Sequence, residues 1–298
     1  MTEQEVLQKI HELNMEMFQE LDRICRKYDI QYFFASGALL GALRHQGFIP
    51  WDNDIDIWMT RDNFDKLYAH QDELSENVSL VMPTETGKNR YLDTVPRLNY
   101  KNMYIKMDED VCRYYNNHNN RMDLDIFFID KTYGNWKGKV QRLEMIFVYG
   151  LMNAYRHKSL KSSYAWYFKI AQGILDVIGR MIPLEKLRAL STKIATRYDN
   201  DPNAHYYFAS TDGAAWKNIV PEEDLKEVVY LPFEDTVAPT PNGADHIMRI
   251  WFGDYMKLPP KEQQVPHWGQ ILLDPDLFVF EEPPTWEEVD AKKKETSN

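Results

Sequence analysis

The stretch from Tyr32 to Met59 constrains the fold of this chain more than any other. Aromatic residues before Ser36-Gly37 predict a strand over residues 31–35, and the Ala- and Leu-rich run that follows predicts a short helix. Ser36-Gly37 therefore falls at a helix N-terminus, where free N–H groups and the helix dipole favour an anion. Glycine also lets that anion approach the backbone. An ordinary cap or turn is the alternative, because one Ser-Gly pair is a weak signal.

Two aspartates near the end of this stretch alternate with isoleucines. On a strand, Asp54 and Asp56 would share one face, and Ile55 and Ile57 would share the other. An exposed edge strand tolerates two such like charges, but this pair follows the Ser-Gly turn by only one helix and one loop. We therefore expect the pair to bind Mg²⁺, a cation that commonly links carboxylates to phosphate.

A cation clamp for phosphoryl displacement needs a third carboxylate from elsewhere in the chain. Residues 121–130 predict a second strand that begins with alternating acids and continues with apolar and aromatic residues. We choose Asp125 as the third ligand and keep Asp123, on the same face, in reserve.

Three blocks of sequence resemble the LicD family of phosphocholine transferases, which belongs to the nucleotidyltransferase-fold superfamily. The blocks are SGALLGALRHQGFIPWDNDIDI, DLDIFFID and WFGDYMKLPPKEQQVPHW, and they reach from about residue 32 to about residue 268. The family's signature residues are matched in this chain by Ser36-Gly37, by Asp54 with Asp56, and by Asp125. Many relatives have three aspartates where this chain has Asp52-Asn53-Asp54, and we expect little consequence because the middle residue should point away from the metal.

The resemblance implies an α/β (α+β) fold with a nucleotidyltransferase-like mixed β-sheet core flanked by helices. It implies a metal-dependent phosphotransferase that moves phosphocholine, or a similar phospho-alcohol such as ribitol phosphate, from a CDP donor such as CDP-choline. The acceptor would be a sugar hydroxyl of a lipid-linked, cell-surface glycopolymer precursor of the teichoic acid or lipopolysaccharide type, and CMP would be released. One or two Mg²⁺ ions would serve as cofactor, and Mn²⁺ could replace them.

Several further residues are candidates for contacts with the donor. Arg44 and His45 follow the short helix and could reach phosphate, although Arg44 could instead pair with Asp52. An aromatic face suits a quaternary ammonium, which favours Trp51 among many aromatic residues. The remaining candidates are Arg97, Asp254, Tyr255 and His267, and each has a structural alternative. Arg97 could lie on a sheet edge, Asp254 and Tyr255 could fix a loop, and His267 could have a structural role.

Charge is distributed unevenly along the chain. The span 137–197 holds twelve Lys and Arg against the three acids Glu144, Asp176 and Glu185, whereas the whole chain has a net charge of −11. Its apolar spacing predicts three helices, over about 138–157, 162–180 and 184–199. The basic face is either solvated or a surface for anionic lipid.

We accordingly divide the chain into four parts. These are a core at 1–136, an inserted basic helical subdomain at 137–200, a segment at 201–280 that completes the core, and a flexible tail at 281–298.

The composition of the chain also bears on its partners, its location and the role of its cysteines. A pI near 5.3 without a basic and aromatic RNA motif argues against nucleic acid as partner. No signal peptide and no apolar run of about 18 residues are present, so we expect a cytoplasmic protein, with peripheral contact at the inner face of the membrane. Cys25 and Cys112 lack the spacing of a zinc or redox pair.

Two rival functions remain open at this point. The same fold could transfer a nucleotide from an NTP to a small acceptor, with pyrophosphate as the product. A catalytically silent binding subunit is the other alternative, and the intact set of acids argues against it.

Overall fold

The computed structural model describes residues 3–83, 94–104, 121–156, 166–213, 216, 218–265 and 291. The helices within these ranges are α1 (Glu3–Lys27), α2 (Ser36–Arg44), α3 (Arg61–Ala69), α4 (Trp136–Met152), α5 (Trp166–Arg180), α6 (Leu184–Ala195) and α7 (Ala244–Phe252). The strands are β1 (Phe33–Phe34), β2 (Asp56–Met59), β3 (Val78–Val81), β4 (Arg97–Tyr104), β5 (Arg121–Thr132), β6 (Tyr206–Ala209), β7 (Val220–Pro221), β8 (Val228–Phe233) and β9 (Thr236–Pro241). None of the described helices combines the length and apolar composition needed to cross a membrane.

The chain divides into two compact units. The first lies within residues 1–91, 95–128 and 223–298, and the second within residues 92–94 and 129–222. Strand β5 passes from the first unit to the second between Phe128 and Ile129.

The first unit is built on a mixed sheet with strand order β1-β2-β5-β4-β3. β2 and β5 are parallel, while the other neighbours are antiparallel. Helix α1 places Val6, Ile10 and Leu13 at helical spacing, and these side chains pack with Met122 in one buried cluster. The mixed α/β fold expected from the sequence, a sheet with helices packed against it, is therefore confirmed.

The second unit joins a short sheet to a helical cluster. The last residues of β5 pair with β6, and β6 pairs with β7. Helix α4 packs against both α5 and α6. The buried apolar cluster of this unit includes Met145, Val148, Leu151, Leu187 and Phe208.

The three helices predicted for the basic span are present. The first runs over 136–152 rather than 138–157, and the third ends at Ala195 rather than residue 199. Pro183 immediately precedes the third, as its fixed φ and missing N–H favour. The predicted start of the middle helix, at residue 162, lies outside the described residues.

Residues 233–241 include Pro239 and Pro241, which on sequence alone favour a rigid approach to the following helix rather than a strand. The segment Thr236–Pro241 instead forms β9 and pairs with β8 in a separate two-stranded sheet. The paired residues include Val228 with Pro241, Tyr230 with Pro239, and Pro232 with Val237. All three prolines fall in pairs of the same alternating set, so their missing N–H groups can face away from the ladder, which makes proline compatible with such a strand.

Other boundaries differ by smaller amounts. The apolar spacing after Thr60 predicts a helix to about Glu76, but α3 ends at Ala69 and is followed by a 3₁₀ turn at Gln71–Glu73. The first strand is reduced from 31–35 to Phe33–Phe34. Several positions considered in the sequence lie outside the described residues: Cys112, His267, Trp268 and the tail from 281, of which only residue 291 is described.

Candidate active site

Acidic side chains from β2 and β5 share one face of the sheet. In the register of the sheet Asp56 is paired with Asp125, and Arg97 and Asn99 of β4 are paired with Asp125 and Asp123. Directly paired residues project to the same side, so these groups face one another across the three strands. The opposite face is apolar and fully buried through Ile55, Ile57, Leu98, Leu124 and Ile126.

The Ser36-Gly37 turn lies beside these acids. The backbone N–H of Ala35, which precedes the turn, donates to the carbonyl oxygen of Asp56 at 2.9 Å. Ser36 has a φ of 45°, a left-handed conformation that L-residues rarely adopt and that often marks functional sites. The sequence-predicted turn and acid pair are therefore brought together at the N-terminus of α2.

A carboxylate already approaches Gly37 in this structure. A Cβ placed on Gly37 would lie 2.2 Å from Oδ2 of Asp52. Gly37 thus permits a close approach, and the group that makes use of it in this structure is Asp52. We infer that the turn accommodates an oxyanion, since a carboxylate oxygen and a phosphate oxygen present the same kind of charge to its N–H groups.

Asp54 lies in the most strongly perturbed environment of the site. Burial raises the pKa of its carboxyl well above the usual value, and the nearby carboxyl groups of Asp52, Asp125 and Asp123 raise it further. Like charges at short distance disfavour ionisation of one another. This repulsion is what an added cation would relieve.

Arg97 supplies positive charge to the same face. Its Nη1 lies 2.8 Å from Oδ2 of Asp123, and its Nε donates to Asp125. β4 is paired on both sides, so Arg97 does not lie on a sheet edge, which excludes that alternative. The two candidates for a third metal ligand, Asp125 and its reserve Asp123, are therefore both ion-paired to one guanidinium.

No three carboxyl, imidazole or thiol groups of the described residues are arranged as a ready metal site. The chemistry of the donor set nevertheless suits a hard divalent cation, because it consists of carboxylate oxygens whose repulsion raises the pKa of Asp54. The residues present can thus accept Mg²⁺, provided that Asp125 or Asp123 exchanges its contact with Arg97 for the ion.

Arg44 and Tyr255 meet at the far end of α2. Nη1 of Arg44 donates to the carbonyl oxygen of Tyr255 at 2.7 Å, rather than forming the alternative ion pair with Asp52. The Tyr255 hydroxyl donates to Asp245 at 2.7 Å, and its pKa is raised to about 12 by burial and by that carboxylate. Tyr255 is therefore buried and fixed within its loop, whereas Asp254 is exposed.

His45 and Trp51 are neighbours in the loop after α2. Their rings meet edge to face with centroids 6.3 Å apart, and both side chains are half-buried. Burial and the charge of Arg44 lower the pKa of His45. The pair offers a neutral imidazole beside an aromatic face.

Helix α1 holds the acidic loop through contacts that the sequence did not indicate. Nε2 of His11 donates to the carbonyl oxygen of Asp52 at 2.7 Å, and Nδ2 of Asn14 donates to that of Asn53 at 2.8 Å. His11 also stacks on Phe48, with centroids 3.9 Å apart. The spacing of α1 identifies its buried face, but it cannot show which loop that face supports.

Two buried polar atoms on the acidic face were also missed. Oδ1 of Asn99 and Nε1 of Trp58 have no hydrogen-bond partner among the described residues, although both side chains are buried. Asn99 is paired with Asp123, and Trp58 follows Asp56 on the same face of β2. Such atoms cost free energy unless a ligand or water satisfies them.

Comparisons with known proteins show what this chain is similar to. Residues 29–149 match the family model described as LicD/FKTN/FKRP, nucleotidyltransferase domain. The chain is 27% identical over 258 residues to the lipopolysaccharide cholinephosphotransferase LicD of Haemophilus influenzae, which covers 82% of this chain and 89% of that protein. It is also 32% identical over 95 residues to an uncharacterized protein of Rickettsia prowazekii, over 30% of this chain and 35% of that one.

The matched family region contains the Ser36-Gly37 turn and all four clustered acids, and the Haemophilus protein extends the likeness over most of the chain. Residues 29–149 are therefore similar to the LicD/FKTN/FKRP nucleotidyltransferase domain, and most of the chain is similar to the Haemophilus LicD protein.

Proposed function

We propose that this protein is a transferase that moves phosphocholine from CDP-choline to a sugar hydroxyl of a lipopolysaccharide-type glycan and releases CMP. The observation that supports the proposal is the hydrogen bond from the backbone N–H of Ala35 to the carbonyl oxygen of Asp56, which joins the Ser36-Gly37 turn to the strand that begins at Asp56. The relative that matches most of the chain is named as a lipopolysaccharide cholinephosphotransferase. The same reaction would accommodate a teichoic acid precursor as the acceptor, or another phospho-alcohol as the transferred group.

The turn at the start of α2 would bind the diphosphate of the donor. Its N–H groups and the positive end of the helix dipole stabilise negative charge, and Asp52 must move from Gly37 to admit a phosphate oxygen. Asp54 and Asp56 would hold Mg²⁺, joined by Asp125, with Asp123 in reserve. When bound, the ion offsets the charge of the diphosphate and of the departing CMP.

The acceptor hydroxyl needs a proton acceptor near the reacting phosphorus. Asp125 lies on the acidic face beside Asp56, and its carboxylate would take this proton as the acceptor oxygen attacks in line. Arg97 donates to Asp125 in this structure, and its guanidinium would instead contact the phosphate as negative charge develops there.

Choline would be recognised by aromatic faces. Trp51 beside His45 is our first candidate, and the buried Trp58, which is on the face of the acids, is the second. A cation held over an aromatic ring gains about 0.5–2 kcal/mol. Arg44 and Tyr255, now bound to each other, would shape the loop around the donor, and the exposed Asp254 would contact the nucleotide.

A donor panel tests the proposal. Purified protein with Mg²⁺ is incubated with CDP-choline, CDP-ribitol or CDP-ethanolamine and a lipopolysaccharide acceptor, and CMP and modified glycan are measured by mass spectrometry. CMP formation together with a phosphocholine mass increment on the acceptor is expected only with CDP-choline. Consumption of another CDP-alcohol alone would move the assignment to that alcohol.

A second candidate is nucleotidyl transfer from an NTP, which the description of the matched family model favours. It predicts pyrophosphate rather than CMP as the product. The same reaction mixtures with CTP or ATP in place of the CDP donor separate the two, because pyrophosphate appears only if a nucleotide is transferred.

A further inference from the structure

Helix α5 presents its apolar side outward. The large apolar side chains on one side are more than half exposed, with Trp166 at 72%, Val177 at 66% and Met181, just beyond the helix, at 80%. Ile170 and Ile174 continue the same stripe at helical spacing. A surface helix of a water-soluble domain normally shows the reverse arrangement.

The polar side of α5 packs against α4 within the second unit. Asp176 is 5% exposed and accepts from Nε2 of Gln172 at 2.7 Å, and the same nitrogen donates to the carbonyl oxygen of Gly150 in α4. Gly179 packs so closely that a Cβ there would lie 2.1 Å from the carbonyl oxygen of Leu151. These specific contacts fix the orientation of α5, so its apolar stripe faces outward in the folded unit.

A second apolar stripe lies on α4. Trp136, Leu143 and Phe147 are more than half exposed, and Leu143 and Phe147 line an open groove of about 480 Å³ with Leu190 of α6. Exposed apolar area of this extent on one unit marks an interaction surface.

The charged residues of the same span indicate what kind of surface binds these apolar stripes. The span 137–197 has twelve Lys and Arg against three acids. Of the acids, Asp176 is buried, and Glu144 is ion-paired with Arg197 at 2.5 Å. The described basic residues include Arg180, Lys186 and Lys193, all exposed. An apolar stripe that begins with Trp, Tyr and Phe, in a unit that also exposes these cations, complements an anionic lipid surface.

We propose that α5 docks the protein onto anionic membranes, lying in the plane of the interface with its apolar stripe among the lipid chains. The helix has 15 residues and is therefore about 22 Å long, which suits a position along the surface. Nearby cations add about 1 kcal/mol each to such binding. The inference does not depend on the proposed reaction.

Sedimentation of the full chain with lipid vesicles tests this proposal. We expect the protein to pellet with phosphatidylglycerol-containing vesicles at low salt, and to remain in the supernatant with pure phosphatidylcholine or at high salt. The triple variant Ile170→Gln, Ile174→Gln, Val177→Gln should lower the partition coefficient by about tenfold or more, since it removes the apolar anchor and keeps helix propensity.

Two matched variants complete the experiment. Val229→Thr with Val237→Thr removes exposed apolar groups from the β8–β9 sheet and should bind vesicles as the wild type does. Lys186→Gln with Lys193→Gln should weaken binding to anionic vesicles only. Circular dichroism checks that each variant is folded, and the single variant Trp166→Gln serves if the triple variant is not.

Three results would overturn the proposal. The first is wild-type protein that stays in the supernatant with anionic vesicles at low salt, and the second is a folded triple variant that binds as tightly as the wild type. The third is a wild-type dimer in light scattering that the triple variant converts to monomer, without vesicle binding. That result would assign the stripe to a second copy of the chain.

Discussion

Asp54 is crowded by three other carboxyl groups, and this crowding affects the stability of the fold. Its pKa is raised, so in the folded state the group resists ionisation, whereas in the unfolded chain it ionises near its usual pKa of 3.8. Stability is therefore lost as pH rises from the unfolded pKa toward the folded one. At neutral pH the folded protein is therefore less stable than it would be without this shift.

The variant Asp54→Asn should consequently be more stable than the wild type at pH 7 without divalent ions. The gain should shrink toward zero below about pH 4, where the carboxyl group is protonated in both states and resembles the amide. Thermal unfolding in EDTA across this pH range measures it. Added Mg²⁺ should raise the melting temperature of the wild type but not of the variant, and equal responses would contradict cation binding at Asp54.

Gly37 supports a second residue-scale prediction. Gly37→Ala introduces a Cβ 2.2 Å from Oδ2 of Asp52, so either the acidic loop or α2 must shift, at a cost of about 1–3 kcal/mol. We expect strongly reduced CMP release as well. Gly173→Ala is the matched control, since a Cβ there meets nothing within 4 Å and should stabilise α5 by about 0.5–1 kcal/mol. Urea unfolding compares the two, and equal effects would refute the close-approach role.

At the scale of elements, the contact between α1 and the acidic loop is the feature that sequence reasoning could not supply. Apolar spacing predicts where α1 begins and ends, but His11 and Asn14 look like ordinary polar residues until the loop lies against them. Hydrogen bonds to backbone carbonyls depend on tertiary position and leave no pattern in the sequence.

Replacing Asn14 by Leu tests that support. The carbonyl oxygen of Asn53 would lose its donor inside the core, which costs about 1–3 kcal/mol. We expect a lower urea midpoint and reduced turnover, because the loop carries Asp52 and Asp54. Lys9→Ala, on the exposed side of the same helix, is the control and should leave both unchanged.

The strand–turn–helix stretch was predictable because its signals are local. The alternation of acid and isoleucine fixes which side of β2 is polar, and Ser-Gly before an Ala- and Leu-rich run fixes the start of α2. β9 was missed for the converse reason, since three prolines argue against a strand unless the pairing partner is known. The ion pairs of Arg97 likewise depend on the pairing of β4 with β5.

At the scale of the whole molecule, charge and apolar surface are divided between two units. The acidic face lies in the first unit, and the basic, apolar-faced helices lie in the second. The sequence showed the charge division directly, because a count of residues needs no coordinates. It could not show that the apolar stripe of α5 faces outward, because helical periodicity gives the stripe but not its direction.

The proposed function depends on Asp54 and Asp56 acting beside the turn at the start of α2. CMP release from CDP-choline by Asp56→Asn measures this directly, with Asp65→Asn, an exposed acid of α3, as the control. We predict that Asp56→Asn lowers the rate by about 10²–10³-fold or more while its circular dichroism stays that of the wild type, and that Asp65→Asn retains full activity. A folded Asp56→Asn protein that releases CMP at the wild-type rate would contradict the assignment.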